Sequence, residues 1–200
     1  MSDTVTTFRE RCREIQRLAG VLGLLGWDQE VTMPPRGAAT RARQRGTLAG
    51  LVHERLTAPE LGALLDDLAG AGALPDDVAA DVRVLGHQRE RAVRLPASLV
   101  RELAEAVGLA QPDWVAAREH DDWDRFAPHL ARIVDLKRRE AAELGIGDEP
   151  YDALLDEYEP GARTAWLLPV FADLRTALVD LLGRIDATAA PLPAGPYPPA

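Results

Sequence analysis

Val5, Phe8, Cys12, Ile15, Ala19 and Leu22 recur at steps of three and four residues, which places them on one stripe of a first helix. Arg9, Arg11, Arg13, Glu14 and Arg17 fall on its other faces. That period returns in segment after segment. Strand-type alternation never runs beyond a few residues, and no hairpin turn signal occurs. The expected fold class is therefore all-α, a multi-helix array of about eight or nine helices with short connections. The stripe makes Cys12 a buried small hydrophobe rather than a reactive thiol. As the chain's single cysteine it has no disulfide partner within it.

The first helix is expected to end near Gly26 and Trp27. Trp27 to Pro35 then reads as a connector, because Met33 precedes a proline and Pro34 and Pro35 supply no backbone donors. A second helix, from about Ala38 to Leu56, has a mostly small inner face of Ala39, Ala42, Gly46, Ala49 and Val52, so a neighbouring helix can approach closely. Thr57 with Glu60 forms a capping box for a short third helix, closed by Gly70 and Gly72. Val78, Val82 and Leu85 mark a fourth helix, finished before Pro96.

Another helix opens at Pro96 and is expected to break at Gly108 and Pro112. Asp122 caps a long helix with Pro128 near its start, and Gly145 and Gly147 close it. Thr164 caps the last helix, which carries Phe171, Leu174, Leu178, Leu181 and Ile185. Residues 187–200 hold five of the fifteen prolines, a density that neither helix nor central strand accommodates. The domain reading is thus one helical region, 1–186, and a Pro-rich segment, 187–200.

A chain of 200 residues can bury about 70% of its extended surface, enough for one well-filled core. Its net charge of −9 argues against a nucleic-acid or anionic-membrane partner, since both present negative charge. The polar, acid-containing start lacks a signal-peptide pattern, and the apolar stretch 18–27 is too short to span a bilayer. The expected location is the cytoplasm.

Chemical signatures are sparse. A zincin helix needs His-Glu-x-x-His, with two imidazoles one turn apart. His53-Glu54 supplies the first half, and Thr57 stands where the second histidine is required. His53 therefore reads as a partly exposed helix residue. His87, His120 and His129 have no histidine three or four positions away, so the expectation is no metal site in this chain, with a composite site assembled by tertiary contacts as the lesser alternative. Asp121, Asp122 and Asp124, and likewise Asp152, Asp156, Glu157 and Glu159, lack the loop glycine and ligand spacing of a calcium loop. Two stretches stand apart from simple packing: Leu24 to Pro35, where Trp27 and Asp28 precede a rigid proline pair, and Tyr151 to Gly161, with Asp152, Tyr158 and Glu159.

These two stretches resemble the N-terminal signatures of the carboxypeptidase Taq family of zinc metallocarboxypeptidases. The helix from Arg41 to Thr57, the Phe126-Ala127-Pro128-His129-Leu130 entry and the run Val134 to Glu140 are similar to that family too. The resemblance spans Val5 to Pro198. It implies the N-terminal, cleft-forming part of a largely helical, zincin-like enzyme that removes residues from peptide C-termini. It also implies zinc in the complete enzyme, a peptide substrate and a homodimer. The family's His-Glu-x-x-His helix lies downstream of the Tyr151 to Gly161 region, so the resemblance places the catalytic half outside this chain, which looks cut before it. The chain alone is then expected to be inactive. Trp27, Asp28, Tyr151, Asp152, Tyr158 and Glu159 are the positions expected to line the cleft or anchor turns. The alternative is a non-catalytic helical scaffold or binding module derived from the same family.

Overall fold

A computed structural model describes residues 2–188. Eight α-helices occupy them: α1 (Ser2–Val31), α2 (Ala38–Thr57), α3 (Pro59–Ala69), α4 (Asp76–Arg94), α5 (Ala97–His120), α6 (Trp123–Leu144), α7 (Pro150–Leu155) and α8 (Thr164–Thr188). A single 3-10 turn, Pro35–Gly37, leads into α2. No strand occurs among the described residues, so the all-α expectation holds. Backbone contacts divide the chain into two compact units, Met1–Gly145 with α1 to α6 and Ile146–Ala200 with α7 and α8. Helix α8 runs to Thr188, two residues into the segment read as Pro-rich; the remainder of 187–200 lies outside the described residues.

In the first unit, Phe8, Cys12 and Ile15 of α1 meet Leu61, Leu65 and Leu68 of α3 and Val78 and Leu85 of α4 in one buried cluster. Phe8 and Val78 are fully enclosed. Burying a side chain of this size contributes about 1.5–3 kcal/mol, so this cluster is the main adhesive of the α1–α3–α4 corner. Cys12 belongs to it. Burial, reinforced by the nearby Asp81 carboxylate, raises its thiol to about 11, which keeps it protonated and inert. The α2–α5 contact works differently. Ala42, Gly46, Ala49 and Gly50 of α2 and Gly108 and Ala110 of α5 are buried and small. A Cβ added at Gly108 would lie 3.1 Å from the Ala42 Cα, so close backbone approach sets this crossing.

Several local expectations are corrected. Helix α1 continues through Gly26 to Val31, placing Trp27 and Asp28 on a helix rather than in a connector. Each glycine in the run costs helix propensity, about 1 kcal/mol. Tertiary partners offset it: Arg41 donates to the Leu25 carbonyl (2.8 Å), and the Arg45 guanidinium occupies the space a Gly26 side chain would fill. Thr57 does not cap α3. It ends α2, its hydroxyl donating back to the His53 carbonyl (2.9 Å), and Ala58 stands at the α3 N-cap with no side-chain bond. His53 is buried rather than partly exposed.

Helix α5 is also unbroken, with Pro112 inside it. A helical residue at 112 would donate its N–H to the carbonyl of residue 108, and proline has none to give. The Gln29 side chain donates to that carbonyl instead, at 2.7 Å, from the end of α1. At the α5–α6 junction Asp121 takes the left-handed conformation (φ 52°) and Asp122 accepts the Arg125 N–H at 3.2 Å, as a cap does. Asp113 then accepts from Arg125 Nε (2.7 Å) and His129 Nε2 (2.8 Å), joining the end of α5 to the start of α6.

Candidate functional site

Two separate constellations contain the positions singled out by sequence, one in each unit. In the first unit, Trp27 and Asp28 sit on the last turns of α1. Trp27 is 57% exposed. Asp28 is held: the Thr32 hydroxyl donates to Oδ1, and Arg41 Nη2 lies 2.5 Å from Oδ2. The Thr32 bond first, then Arg41, keeps this carboxyl below the usual carboxylate range. The Asp28 carbonyl accepts from both Thr32 N–H (3.0 Å) and Met33 N–H (2.9 Å), which closes the helix before the proline pair. Arg41, from α2, thus grips this helix end twice, through Asp28 and through the Leu25 carbonyl.

Sequence reasoning missed Arg41 and Gln29. Gln29 is buried, and its donor end fills the gap that Pro112 leaves in α5, so the Trp27-Asp28-Gln29 turn is fixed to α2 and α5 together. A glutamine directly after the Trp-Asp pair, with a proline in a later helix, was the available signal. Gln29→Leu should cost about 1–2 kcal/mol, because a buried carbonyl loses its donor. Pro112→Ala restores an N–H at that point, so the cost of Gln29→Leu should shrink in that background. Urea unfolding of the four-member cycle measures the coupling; strict additivity would contradict the assignment.

Beside this turn a shallow groove of ≈ 480 Å³ is lined by Leu25, Thr40, Arg43, Gln44, Thr47 and Leu48. One cation and three neutral polar groups offer hydrogen bonds and charge, but no acid–base pair. This is surface that can bind, without a residue set for chemistry.

In the second unit, Asp152 and Asp156 are buried while Tyr151, Tyr158 and Glu159 are exposed, Tyr158 by 81%. Asp152 Oδ1 accepts the Thr164 N–H at 2.7 Å and the Thr164 hydroxyl at 2.8 Å. Its carboxyl is lowered, first by the Thr164 amide and further by the amides of Glu149 and Asp148. One turn on, Asp156 Oδ1 accepts the Gly161 N–H at 2.9 Å. The two aspartates are four residues apart on one helix face, and both bind backbone that follows α7. Asp156, weighed in the sequence as a cation ligand, spends its carboxylate on this turn. Tyr151 and Tyr158 flank the anchored turn with their rings in solvent.

Metal-binding chemistry does not assemble. Among the described residues no three His, Cys, Asp or Glu side chains come together as a metal site. His53, the one match to half a zincin motif, is buried, and desolvation together with the nearby Arg101 lowers its pKa and keeps it neutral. The buried carboxylates have protein partners: Asp152 binds Thr164, Asp156 binds Gly161 and Glu140 pairs with Lys137. This donor set does not fit zinc.

The described residues form helices and connecting turns without a strand, a fold they share with carboxypeptidases of known structure. The family model of the Carboxypeptidase Taq (M32) metallopeptidases matches residues 7–195, and the chain belongs to that family. Thermostable carboxypeptidase 1 of Thermus thermophilus is 42% identical over 185 residues, covering 86% of this chain and 36% of the relative. The Pyrococcus furiosus protein of the same name is 36% identical, with 92% and 37% covered. Among solved structures, BsuCP superposes with a TM-score of 0.88 at 25% identity, over 92% of this chain and 37% of its own. The chain therefore spans little more than a third of the length of the relatives it matches. No described helix is long and apolar enough to cross a membrane.

Proposed function

We propose that this chain supplies the N-terminal wall of the substrate cleft of a zinc-dependent carboxypeptidase that releases amino acids from peptide C-termini. The observation that carries this reading is the family match over nearly the whole chain, combined with coverage of about 36–37% of each relative. Zinc and the catalytic groups belong, in this reading, to the part of a family enzyme outside the matched span, because the described residues bring together no zinc ligand set. The contribution of this chain is then binding and shape. Arg41 and Gln29 hold the Trp27-Asp28 turn rigid, and Asp152 and Asp156 hold the turn that carries Tyr151, Tyr158 and Glu159. Exposed aromatic rings on anchored turns can stack on peptide side chains at low entropic cost. The complete enzyme is proposed to be a cytoplasmic homodimer.

The test compares the 200-residue chain with a chimera in which it replaces the matching segment of the Thermus thermophilus relative. The chain alone should hold no stoichiometric zinc and release no amino acid from a peptide. The chimera should do both, and light scattering should give twice its chain mass. Tight zinc or peptidase activity in the isolated chain would overturn the assignment of catalysis to the other segment.

A further inference from the structure

Between α5 and α6 lies a cavity of ≈ 230 Å³, lined by Glu102, Glu105, Ala106 and Leu109 of α5 and by His129 and Arg132 of α6. Residues 102, 105, 106 and 109 share one helix face, as do 129 and 132. Most of the charge beside this cavity is spent. Arg132 pairs with Glu102 and, at 3.2 Å, with Asp135, and Glu102 also receives Arg139 Nη1 at 3.3 Å. Asp113, one turn beyond Leu109, accepts from Arg125 Nε (2.7 Å) and from His129 Nε2 (2.8 Å). A carboxylate only accepts, so this bond puts the proton on Nε2 and leaves Nδ1 an acceptor in the neutral ring. Neither Nδ1 nor the Glu105 carboxylate has a hydrogen-bond or ion-pair partner among the described residues. The Glu105 stem is seated on α2, where a Cβ on Gly46 would lie 2.6 Å from its Cγ.

We propose that this cavity binds a primary alkylammonium ion, its nitrogen on the Glu105 carboxylate and the His129 ring and its methylenes along Ala106 and Leu109. Two acceptors without a donor define the chemistry. An ammonium carries three donors on one atom, so it can serve a carboxylate and a ring nitrogen together. An anion finds only Arg132 in the lining, already held by two carboxylates. A divalent cation lacks its ligand set, because no three His, Cys, Asp or Glu side chains come together as a metal site among the described residues. The volume suits a short alkyl chain and is smaller than a drug-sized pocket. Free amines and the lysyl side chain of a peptide present the same ammonium. The site stands apart from the cleft reading, since none of the positions assigned to the cleft lines it.

Titration of the 200-residue chain with n-butylammonium, followed by amide chemical shifts, tests it. Saturable shifts at residues 105–109 and 129–132 are expected, with a Kd on the order of 1 mM for so small a ligand. Nα-acetyllysine amide distinguishes the two sources: binding of butylammonium alone assigns the cavity to free amines, and binding of both admits a lysyl side chain. Tetramethylammonium, a cation without an N–H donor, should shift nothing at the same concentration. Glu105→Gln keeps the shape, removes the charge and should weaken butylammonium about tenfold. Glu30→Gln, an exposed carboxylate of α1 outside the cavity, should leave the affinity unchanged. Leu109→Lys, at an exposed position, tethers an ammonium one turn from Glu105 and should abolish binding while the chain stays folded. Absence of saturable shifts, an equal response to tetramethylammonium, or unchanged affinity in Glu105→Gln and Leu109→Lys would overturn the proposal.

Discussion

Phe8→Ala is expected to destabilise the first unit by about 3–5 kcal/mol, a large share of what a domain of this size possesses. The side chain is fully enclosed, and its neighbours Leu61, Leu65, Leu68 and Val78 come from two other helices. Those helices also pack on one another, so they cannot close around the space left by the ring, and a cavity remains. At roughly 2–4 °C per kcal/mol for a unit this long, the melting temperature should fall by about 10 °C. Leu24→Ala provides the contrast, since Leu24 lies on the same helix and is 60% exposed. It should change stability by less than about 0.5 kcal/mol. Thermal unfolding followed by circular dichroism distinguishes the two. Equal effects would mean that α1 does not depend on the α3–α4 corner for its anchorage.

The contrast between those two residues also marks where the sequence is readable. Phe8, Cys12 and Ile15 declare their burial by period alone, because the partner surface needs only to be apolar. Where α1 ends cannot be read this way. Gly20, Gly23 and Gly26 argue locally for a stop, and the helix continues because Arg41, Arg45 and the α5 carbonyl at Gly108 hold its far end. Pro112 presents the same problem in reverse. It removes a donor, and the replacement comes from Gln29, 79 residues before the Gly108 carbonyl it serves. Local rules weigh what a residue does to its own helix; both errors arise where a distant side chain completes the backbone. The break expected in α5 and the early stop expected in α1 are two ends of one contact.

The candidate positions divide along the same line. The stretches around Trp27-Asp28 and Tyr151-Asp152 stand out in the sequence because packing alone does not require their composition. Their bonding was not legible. Nothing local pairs Asp28 with Arg41, thirteen positions away across a turn, or Asp152 with Thr164. His53 was misplaced for a related reason: α5 comes close at Gly50, where Arg101 fills the space a side chain would take, and the burial of His53 goes with that approach rather than with its own polarity. The family resemblance, by contrast, was readable because it is carried by the order of many modest motifs, which no single tertiary contact can disguise.

Gly147→Ala is expected to be the most damaging single-methyl change in the second unit. Gly147 has φ +79°, a region that side-chain-bearing residues avoid, and occupying it costs about 1–3 kcal/mol. A Cβ there would also lie 2.4 Å from the Asp152 Cβ and 2.5 Å from Oδ2, so the aspartate must move. Moving it withdraws the acceptor from the Thr164 amide and hydroxyl, and the entry to α8 loses its anchor. Gly161→Ala separates the two contributions: its φ is +86°, yet a Cβ there meets nothing within 4 Å, so only the backbone cost applies. The Thr164 amide should exchange much faster in Gly147→Ala than in Gly161→Ala. The pH dependence follows from the sign of the Asp152 shift. A carboxyl lowered in the folded state stabilises it above the ordinary carboxylate range, and that stabilisation is lost as acid protonates the group. Protection of Thr164 in the parent should therefore fall as the pH drops through and below the usual aspartate range, and in Gly147→Ala this component should be absent. Identical exchange in the two variants, or a parent profile flat in acid, would show that the Asp152–Thr164 contact does not hold the turn.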